Sequence, residues 1–127
     1  MSALQHGLLL FAHGARDAAW AQPFEAVAQR CAARAPGSAV SLAFLEFMQP
    51  DLLTAAAGLV ERGCVHIDVV PLFLGTGGHV RKDLPRLLEQ LAQQHPGVQW
   101  RLRPAIGESS TVIEAMAEVA LANTDSP

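Results

Sequence analysis

Two histidines in this sequence follow apolar stretches and have the chemistry of a metal-handling pair. His13 comes directly after the run LLLFA, and His79 lies in the glycine-rich segment GTGGHV. Imidazole is the commonest side-chain ligand of borderline divalent metals, and a two-ligand site leaves coordination positions open. A structural metal site needs about four ligands at close spacing, and the sequence has no such cluster of cysteine and histidine. We therefore interpret His13 and His79 either as ligands of a metal that is released again or as ordinary loop histidines.

A carboxylate is the third candidate for chemistry. Glu46 directly follows an apolar run, in the segment FLEFMQP. In one interpretation it is an acidic residue favoured by the dipole of a helix that begins near Pro50. In the other it accepts protons, or assists a metal, beside the two histidines. The sequence alone leaves both interpretations open.

Backbone N–H groups and basic side chains near these motifs predict a ligand that carries carboxylates or phosphates. The glycines around position 76 allow close backbone approach and expose N–H groups where a helix begins, which is an anion site. A similar arrangement recurs at 107–110. The candidate ligand-binding residues are Arg16, Thr76, Gly77, Gly78, Ser109 and Ser110. For any one charged residue, a solvated surface position is the alternative interpretation.

The hydrophobic pattern predicts the elements that must position these residues. Continuous apolar runs, typical of strands buried on both faces, occur at 7–12, 39–45 and 65–73. Alternation of apolar and polar residues at 98–102 predicts an edge strand. Apolar residues at helical spacing predict helices at 23–35, 50–63, 83–94 and 107–122, the first of them preceded by a short irregular segment.

This order of elements predicts one α/β domain over residues 1–127, with loose ends at 1–6 and 123–127. We expect a three-layer sandwich with a mostly parallel four-stranded sheet, strand order 2-1-3-4, and helices on both faces. Open α/β sheets bind ligands outside the carboxyl ends of the strands, where the strand order reverses. We therefore expect His13, after strand 1, and His79, in the loop after strand 3, to overhang the same crevice.

The composition argues against several other classes of protein. Hydrophobic residues make up 50% of the chain and charged residues 17%, which is typical of a globular domain. The net charge of −3 and the absence of a basic stripe argue against nucleic-acid binding. No apolar run approaches the roughly 20 residues that span a membrane. Because the sequence starts without a signal-peptide pattern, we expect a cytoplasmic protein in which Cys31 and Cys64 are reduced.

Three motifs in register resemble those of the short, single-domain class II sirohydrochlorin chelatases. They are LLLFAHGARD, FLEFMQPDL and VVPLFLGTGGHVRKDLP, and the third is the most specific. The resemblance covers nearly the whole chain. Ala15 stands where the family usually has serine, which leaves His13 and Arg16 in place.

The resemblance implies a metal chelatase, a lyase that inserts a divalent metal into the tetrapyrrole sirohydrochlorin. Among the family's metals we expect Co²⁺, inserted during cobalamin biosynthesis. Iron insertion for sirohaem and nickel insertion are the alternatives within the family. The resemblance also implies that His13 and His79 handle the metal, that Glu46 assists, and that the protein is a homodimer. No organic cofactor is needed, because neutral imidazoles can hold the ion and accept the two pyrrole protons.

Two interpretations from other classes remain. A metal or tetrapyrrole carrier would keep both histidines without turnover. A histidine phosphatase also has His-Gly after its first strand, but it requires an arginine directly before that histidine. This sequence has Ala12 at that position, which argues against the phosphatase.

Overall fold

The computed structural model describes residues 5–75 and 77–122, apart from the side chain of His79. The strands are β1 (His6–Ala12), β2 (Ser38–Phe44), β3 (His66–Pro71) and β4 (Gln99–Leu102). The helices are α1 (Gln22–Arg34), α2 (Leu52–Glu61), α3 (Gly78–Gln94) and α4 (Ser110–Ala122). Short 3-10 helices at Ala18–Ala21 and Ile106–Glu108 precede α1 and α4. No helix in the described ranges is long and apolar enough to cross a membrane.

The four strands form one sheet in the order β2-β1-β3-β4, and every neighbouring pair is parallel. This confirms the predicted strand order. The central strands are β1 and β3, which correspond to two of the continuous apolar runs. In the register of the sheet, Ala12 lies opposite Phe44 and Phe11 lies opposite Pro71. The carboxyl ends of β1, β2 and β3 therefore meet at one edge, as the sequence predicted for the candidate site.

One face of the sheet carries the main core. Alternate residues of β1 and β3 point into it, and Leu9, Phe11 and Val69 are completely buried against α2 and α3. Leu59 of α2 and Leu91 of α3 fill the other side of this layer. Each fully buried large apolar side chain contributes roughly 1.5–3 kcal/mol, so this layer fixes how α2 and α3 lie on the sheet.

The opposite face has a smaller core beneath α1. Ala12, Ala21 and Phe44 are buried there, with Trp20 and Phe24 packed against them. Helices thus lie on both faces, as predicted. The last helix, α4, packs chiefly against the 3-10 helix before it and buries none of its own residues.

Helix α3 begins at Gly78 rather than at Asp83, where the apolar spacing predicted its start. Gly77 precedes the helix in an extended conformation, and the Arg81 N–H donates to the Gly77 carbonyl oxygen at 3.0 Å. The first turn is rich in glycine and charged residues, so no apolar periodicity marks it. His79 therefore lies in the first turn of α3, and the expectation that it lies in a loop is wrong.

The two predicted loose ends fall mostly outside the described residues. Residues 1–4 and 123–127 are not among them, but β1 already begins at His6. The carbonyl oxygen of Gln5 accepts hydrogen bonds from the N–H groups of Val65 and His66, at 2.8 and 3.1 Å. The sheet therefore extends into the segment 1–6.

Candidate active site

The segments that carry His13, Glu46 and His79 all follow strands at the carboxyl edge of the sheet. His13 immediately follows β1, Glu46 follows β2 by two positions, and His79 lies in the first turn of the helix after β3. For His79 only this place in the helix is described. Thr76, predicted to bind the ligand, lies outside the described residues.

Backbone hydrogen bonds continue from the strands into the loops that carry His13 and Glu46. The Leu45 N–H donates to the Ala12 carbonyl oxygen at 2.9 Å, and the Glu46 N–H donates to the His13 carbonyl oxygen at 3.0 Å. Gly14 has a φ of 90°, and a Cβ at this position would lie 1.9 Å from the Glu46 carbonyl oxygen. Only glycine allows this approach, so the His-Gly motif is what brings His13 next to Glu46.

The His13 imidazole lies on the ring of Phe73. The ring centroids are 4.0 Å apart and the planes differ by 28°, which is a stacked arrangement. Phe73 itself is 1% exposed, and its ring centroid lies 5.8 Å from that of Phe11, so it belongs to the core. The lone pairs of imidazole lie in the ring plane. Stacking therefore orients an exposed His13 while leaving its nitrogen atoms able to bind a metal or a proton.

Glu46 lines a cleft of about 280 Å³ between the end of β1 and α3. Its lining residues are Phe11, Leu45, Glu46, Val80, Asp83, Leu84 and Leu87. Two carboxylates thus face an otherwise apolar cleft that borders the first turn of α3. Such a cleft suits proton transfer, because the carboxylates of Glu46 and Asp83 lie among apolar side chains.

The described side chains do not form a permanent metal centre. Among them, no group of three or more histidine, cysteine, aspartate or glutamate side chains is arranged to hold a metal ion. Structural zinc-type sites use four such ligands.

Three exposed apolar side chains lie in the loops that follow β2 and β3 at this edge, and we call them the apolar rim. Leu45, Phe47 and Leu74 are 37%, 56% and 68% exposed, although they are large apolar residues. The Arg16 guanidinium carbon lies 4.5 Å from the centroid of the Phe47 ring, a cation–π contact worth roughly 0.5–1 kcal/mol at an exposed position. Phe47 also has a φ of 67°, which is uncommon for any residue other than glycine. This rim offers flat apolar surface with one positive charge beside it.

The other predicted ligand-binding residues are divided between two places. Gly77 and Gly78 are exposed at the start of α3, on the site's own edge. Ser109 instead lines a separate groove of about 360 Å³ with Val70 and Arg103, and Ser110 opens α4 beyond it. The structure therefore does not bring Ser109 or Ser110 into the cleft lined by Glu46.

Sequence reasoning missed two features of the site. It gave no role to Phe73, because an aromatic residue at the end of an apolar strand has the ordinary signature of a core residue. It also gave none to Asp83, whose position in the motif RKDLP was noted only as part of the resemblance. In the structure Asp83 lies one turn after His79 on α3, and its side chain lines the same cleft as Glu46.

A second polar cluster lies at the opposite, amino edge of the sheet. The His6 ring bonds Ser38 Oγ through Nδ1 and Asp68 Oδ2 through Nε2, both at 2.8 Å. Arg101 Nε donates to Asp68 Oδ1 at 2.6 Å. Burial raises the pKa of Asp68, but the hydrogen bonds from Arg101 and His6 outweigh this and hold the pKa below its ordinary value. These groups satisfy one another, as in a structural network.

Comparison with known proteins assigns the chain to a family. A sequence profile of the CbiX family matches residues 7–122. The sirohydrochlorin cobaltochelatase of Sulfurisphaera tokodaii is 31% identical over 113 residues, which cover 89% of this chain and 89% of that protein. The sirohydrochlorin ferrochelatase of Bacillus subtilis is 29% identical over 113 residues, 89% of this chain but only 43% of that relative. The chain thus spans less than half the length of that longer relative.

The similar solved structures also include one chain of similar length and one about twice as long. A CbiX protein from Marinobacter aquaeolei superposes with a TM-score of 0.79 at 36% identity, covering 91% of this chain and 93% of that chain. The sirohydrochlorin chelatase SirB from Bacillus subtilis subspecies spizizenii, in complex with cobalt, gives a TM-score of 0.79 at 28% identity. That match covers 90% of this chain and 49% of SirB. The motifs, the parallel sheet and these matches agree, and the chain belongs to the CbiX family of chelatases.

Proposed function

We propose that this protein is a sirohydrochlorin cobaltochelatase, which inserts Co²⁺ into the tetrapyrrole sirohydrochlorin in cobalamin biosynthesis. The observation that carries the proposal is the position of His13, stacked on Phe73 and joined through its backbone to Glu46 at the carboxyl edge of the sheet. Membership of the CbiX family supports it, as does the relative of similar length that is named a sirohydrochlorin cobaltochelatase.

Insertion requires the ion to lose its waters and two pyrrole N–H groups to lose their protons. In our proposal His13 and His79 hold the ion weakly through neutral imidazole nitrogens. As the metal binds the macrocycle nitrogens, each of the two pyrrole N–H groups gives its proton to a base at the site. Glu46 receives these protons and passes them to solvent, and Asp83 in the same cleft is a second acceptor. The metal and the tetrapyrrole are both substrates, and no organic cofactor takes part.

The macrocycle lies against the apolar rim in this proposal. Its flat surface contacts Phe47 and Leu74, while its carboxylates meet Arg16 and the backbone N–H groups at Gly77 and Gly78. Thr76 belongs to the same segment and is proposed to join them. Ser109 and Ser110 lie in a separate region, so any contact they make is with an outlying carboxylate.

We propose further that the protein works in the cytoplasm as a homodimer. A site at the edge of one small domain covers only part of a large macrocycle, whereas ligand sites usually enclose most of their ligand's surface. A second copy placed over the carboxyl edge would supply the missing wall.

Iron insertion is the second candidate function. The Bacillus subtilis relative is named a ferrochelatase. SirB from Bacillus subtilis has been solved with Fe³⁺, and SirB from its subspecies spizizenii with cobalt. Imidazole ligands accept Co²⁺, Fe²⁺ and Ni²⁺ alike, so the described ligands do not select among them. We prefer cobalt because two relatives, each matched along 89% of its own length, are named cobaltochelatases.

Metal insertion can be followed directly by the absorption spectrum of sirohydrochlorin. Purified protein is mixed without oxygen with sirohydrochlorin and Co²⁺, Fe²⁺ or Ni²⁺ in separate samples, each beside a protein-free control. The proposal expects acceleration over the control with multiple turnovers, fastest with Co²⁺. Fastest insertion of Fe²⁺ would replace cobalt by the ferrochelatase alternative. Stoichiometric binding of metal or tetrapyrrole without acceleration would reject the chelatase in favour of a carrier.

A further inference from the structure

The segment that carries Phe73 is held by backbone hydrogen bonds on two sides. Beyond the end of β3, the Leu72 N–H still donates to the Phe11 carbonyl oxygen, at 2.7 Å. On the other side, the Phe73 carbonyl oxygen accepts a hydrogen bond from the Gly107 N–H at 2.9 Å. The segment is therefore tied both to β1 and to the turn that precedes α4.

Gly107 makes the second contact possible because its backbone lies directly against this segment. A Cβ at Gly107 would lie 1.9 Å from the Leu74 carbonyl oxygen and 2.4 Å from the Leu74 Cα, so a side chain does not fit. The turn itself is fixed by two hydrogen bonds. The Glu108 N–H donates to the Ala105 carbonyl oxygen at 2.9 Å, and the Glu108 carboxylate accepts from the Ala105 N–H at 3.2 Å. A fixed turn in such close contact sets where the backbone of residues 73–74 lies.

The ring of Phe73 extends this placement to His13. Phe73 is 1% exposed and its ring centroid lies 5.8 Å from that of Phe11 in the main core. Because protein interiors are close-packed, the ring cannot take another direction without opening the core. The imidazole of His13 lies on the face of this ring, with the centroids 4.0 Å apart. Among the described residues no hydrogen bond holds the imidazole, so the stack decides the plane in which its nitrogens lie.

We propose that the turn before α4 positions His13 for metal binding and that it acts through Phe73. Gly107 sets the backbone of residues 73–74, and the buried Phe73 ring sets the plane of the imidazole before the metal arrives. Ordering the imidazole in advance removes freedom that metal binding would otherwise have to remove. Phe73 and Gly107 contact neither the metal nor the tetrapyrrole, so both are positioning residues. This role rests on the chelatase proposed above, in which His13 is a metal ligand.

Nuclear magnetic resonance of the unaltered protein tests both contacts in solution. The ring current of Phe73 should move the imidazole proton signals of His13 upfield of those of His66, an exposed histidine at the amino edge. Nuclear Overhauser effects should connect the rings of His13 and Phe73. The Gly107 amide should exchange slowly with solvent, because it is hydrogen-bonded to Phe73. His13 signals like those of His66, or a rapidly exchanging Gly107 amide, would overturn the inference whether or not the protein inserts metal.

Removing the flat ring should release His13 while the chain still folds. Phe73→Leu keeps an apolar side chain in the core. Ile67→Val is the control, because Ile67 is also 1% exposed in the same core but lies towards the amino edge. We expect F73L to lose the upfield shift of His13 and to insert metal more slowly. It should also bind Co²⁺ alone about threefold to tenfold more weakly, the scale of ordering one side chain.

The I67V protein should match the wild type in all three measurements. A folded F73L protein equal to I67V in Co²⁺ affinity and insertion rate would overturn the inference. If no protein inserts metal but F73L still binds Co²⁺ more weakly than I67V, the chelatase proposal fails and the positioning of His13 stands.

Gly107→Ala tests the turn itself. The new Cβ would meet the backbone of Leu74, so we expect the His13 signals to move towards those of His66 and insertion to become slower. Gly97→Ala is the matched control, because a Cβ there meets no atom within 4 Å. A folded G107A protein that equals G97A in its His13 signals, Co²⁺ affinity and insertion rate would overturn the inference. If G107A does not fold, the exchange rate of the wild-type Gly107 amide decides whether the turn holds the segment.

Discussion

The two edges of the sheet both place a histidine near a carboxylate, and they differ in what the polar atoms contact. At the amino edge both ring nitrogens of His6 are hydrogen-bonded, and Asp68 is shared between His6 and Arg101. At the carboxyl edge His13 is held by ring stacking, and the described residues offer its nitrogens no hydrogen-bond partner.

Size alone would select the amino edge. The groove at the amino edge measures about 730 Å³, whereas the cleft beside Glu46 measures about 280 Å³. In the larger groove His6 and Arg101 are both hydrogen-bonded to Asp68. A reactive site needs groups that are positioned yet unsatisfied, and the carboxyl edge supplies them through Phe73 and Gly14.

The largest expected effect comes from removing His13. His13→Ala should lower the rate of metal insertion by at least about 10²-fold, the scale of losing a positioned acid–base group, while circular dichroism stays unchanged. The control is His66→Ala, which removes an exposed histidine at the amino edge. An equal loss of insertion rate in the two variants would mean that the carboxyl edge has no special role in the reaction.

The next effect comes from Gly14→Ala, which tests whether the loop contact builds the site. The new Cβ would meet the Glu46 carbonyl oxygen, and the positive φ adds strain of roughly 1–3 kcal/mol. We expect a lower denaturation midpoint together with slower insertion. Gly37→Ala is the matched control, because a Cβ there meets no atom within 4 Å. If G14A behaves like G37A, the contact between the two loops has no role in the site.

The smallest effect on activity should come from Asp68→Asn at the amino edge. The pKa of Asp68 is lowered in the folded state, so its ionised form stabilises the fold above the pKa of the unfolded chain. That stabilisation is lost as the pH falls through the folded-state pKa. At neutral pH we expect D68N to lose roughly 1–3 kcal/mol of unfolding free energy, the scale of hydrogen bonds to a charged group, with insertion unchanged.

Urea denaturation of wild type and D68N at neutral pH and in acid checks this prediction. The difference in stability should shrink as the solution becomes acidic, because the wild-type carboxylate is then protonated as well. A difference that is independent of pH would mean that the ionised carboxylate does not carry the stabilisation. Loss of insertion in a folded D68N protein would mean that the amino edge takes part in the reaction.

Much of the fold follows from sequence pattern, because strands buried on both faces leave long apolar runs and short connections restrict their order. The start of α3 cannot be predicted in this way, because the turn around Gly78 has no apolar periodicity. Residues brought together by a strand order, such as His13 and Glu46, are predictable from the rule for parallel sheets. Contacts that depend on side-chain packing, such as His13 on Phe73, are not.

The prediction for Ser109 and Ser110 shows the same limit. Both follow β4 and were expected to bind the ligand, because their segment repeats the glycine-containing helix start seen around position 76. The direction of the chain is changed by the turn at Ile106–Glu108, whose contact with Leu74 has no signature in the sequence. The exposed face of α4 is likewise invisible to periodicity, which indicates an apolar side without indicating what covers it.

The most direct test of the account is to find where Co²⁺ binds. Paramagnetic Co²⁺ broadens nearby amide signals in ¹H–¹⁵N spectra, and diamagnetic Zn²⁺ provides the reference. The account predicts selective broadening at His13, Gly14, Glu46 and the first turn of α3, with the signals of His6 and Asp68 unaffected. Broadening centred on His6, His66 and Trp100 instead would place metal handling at the amino edge and contradict the account.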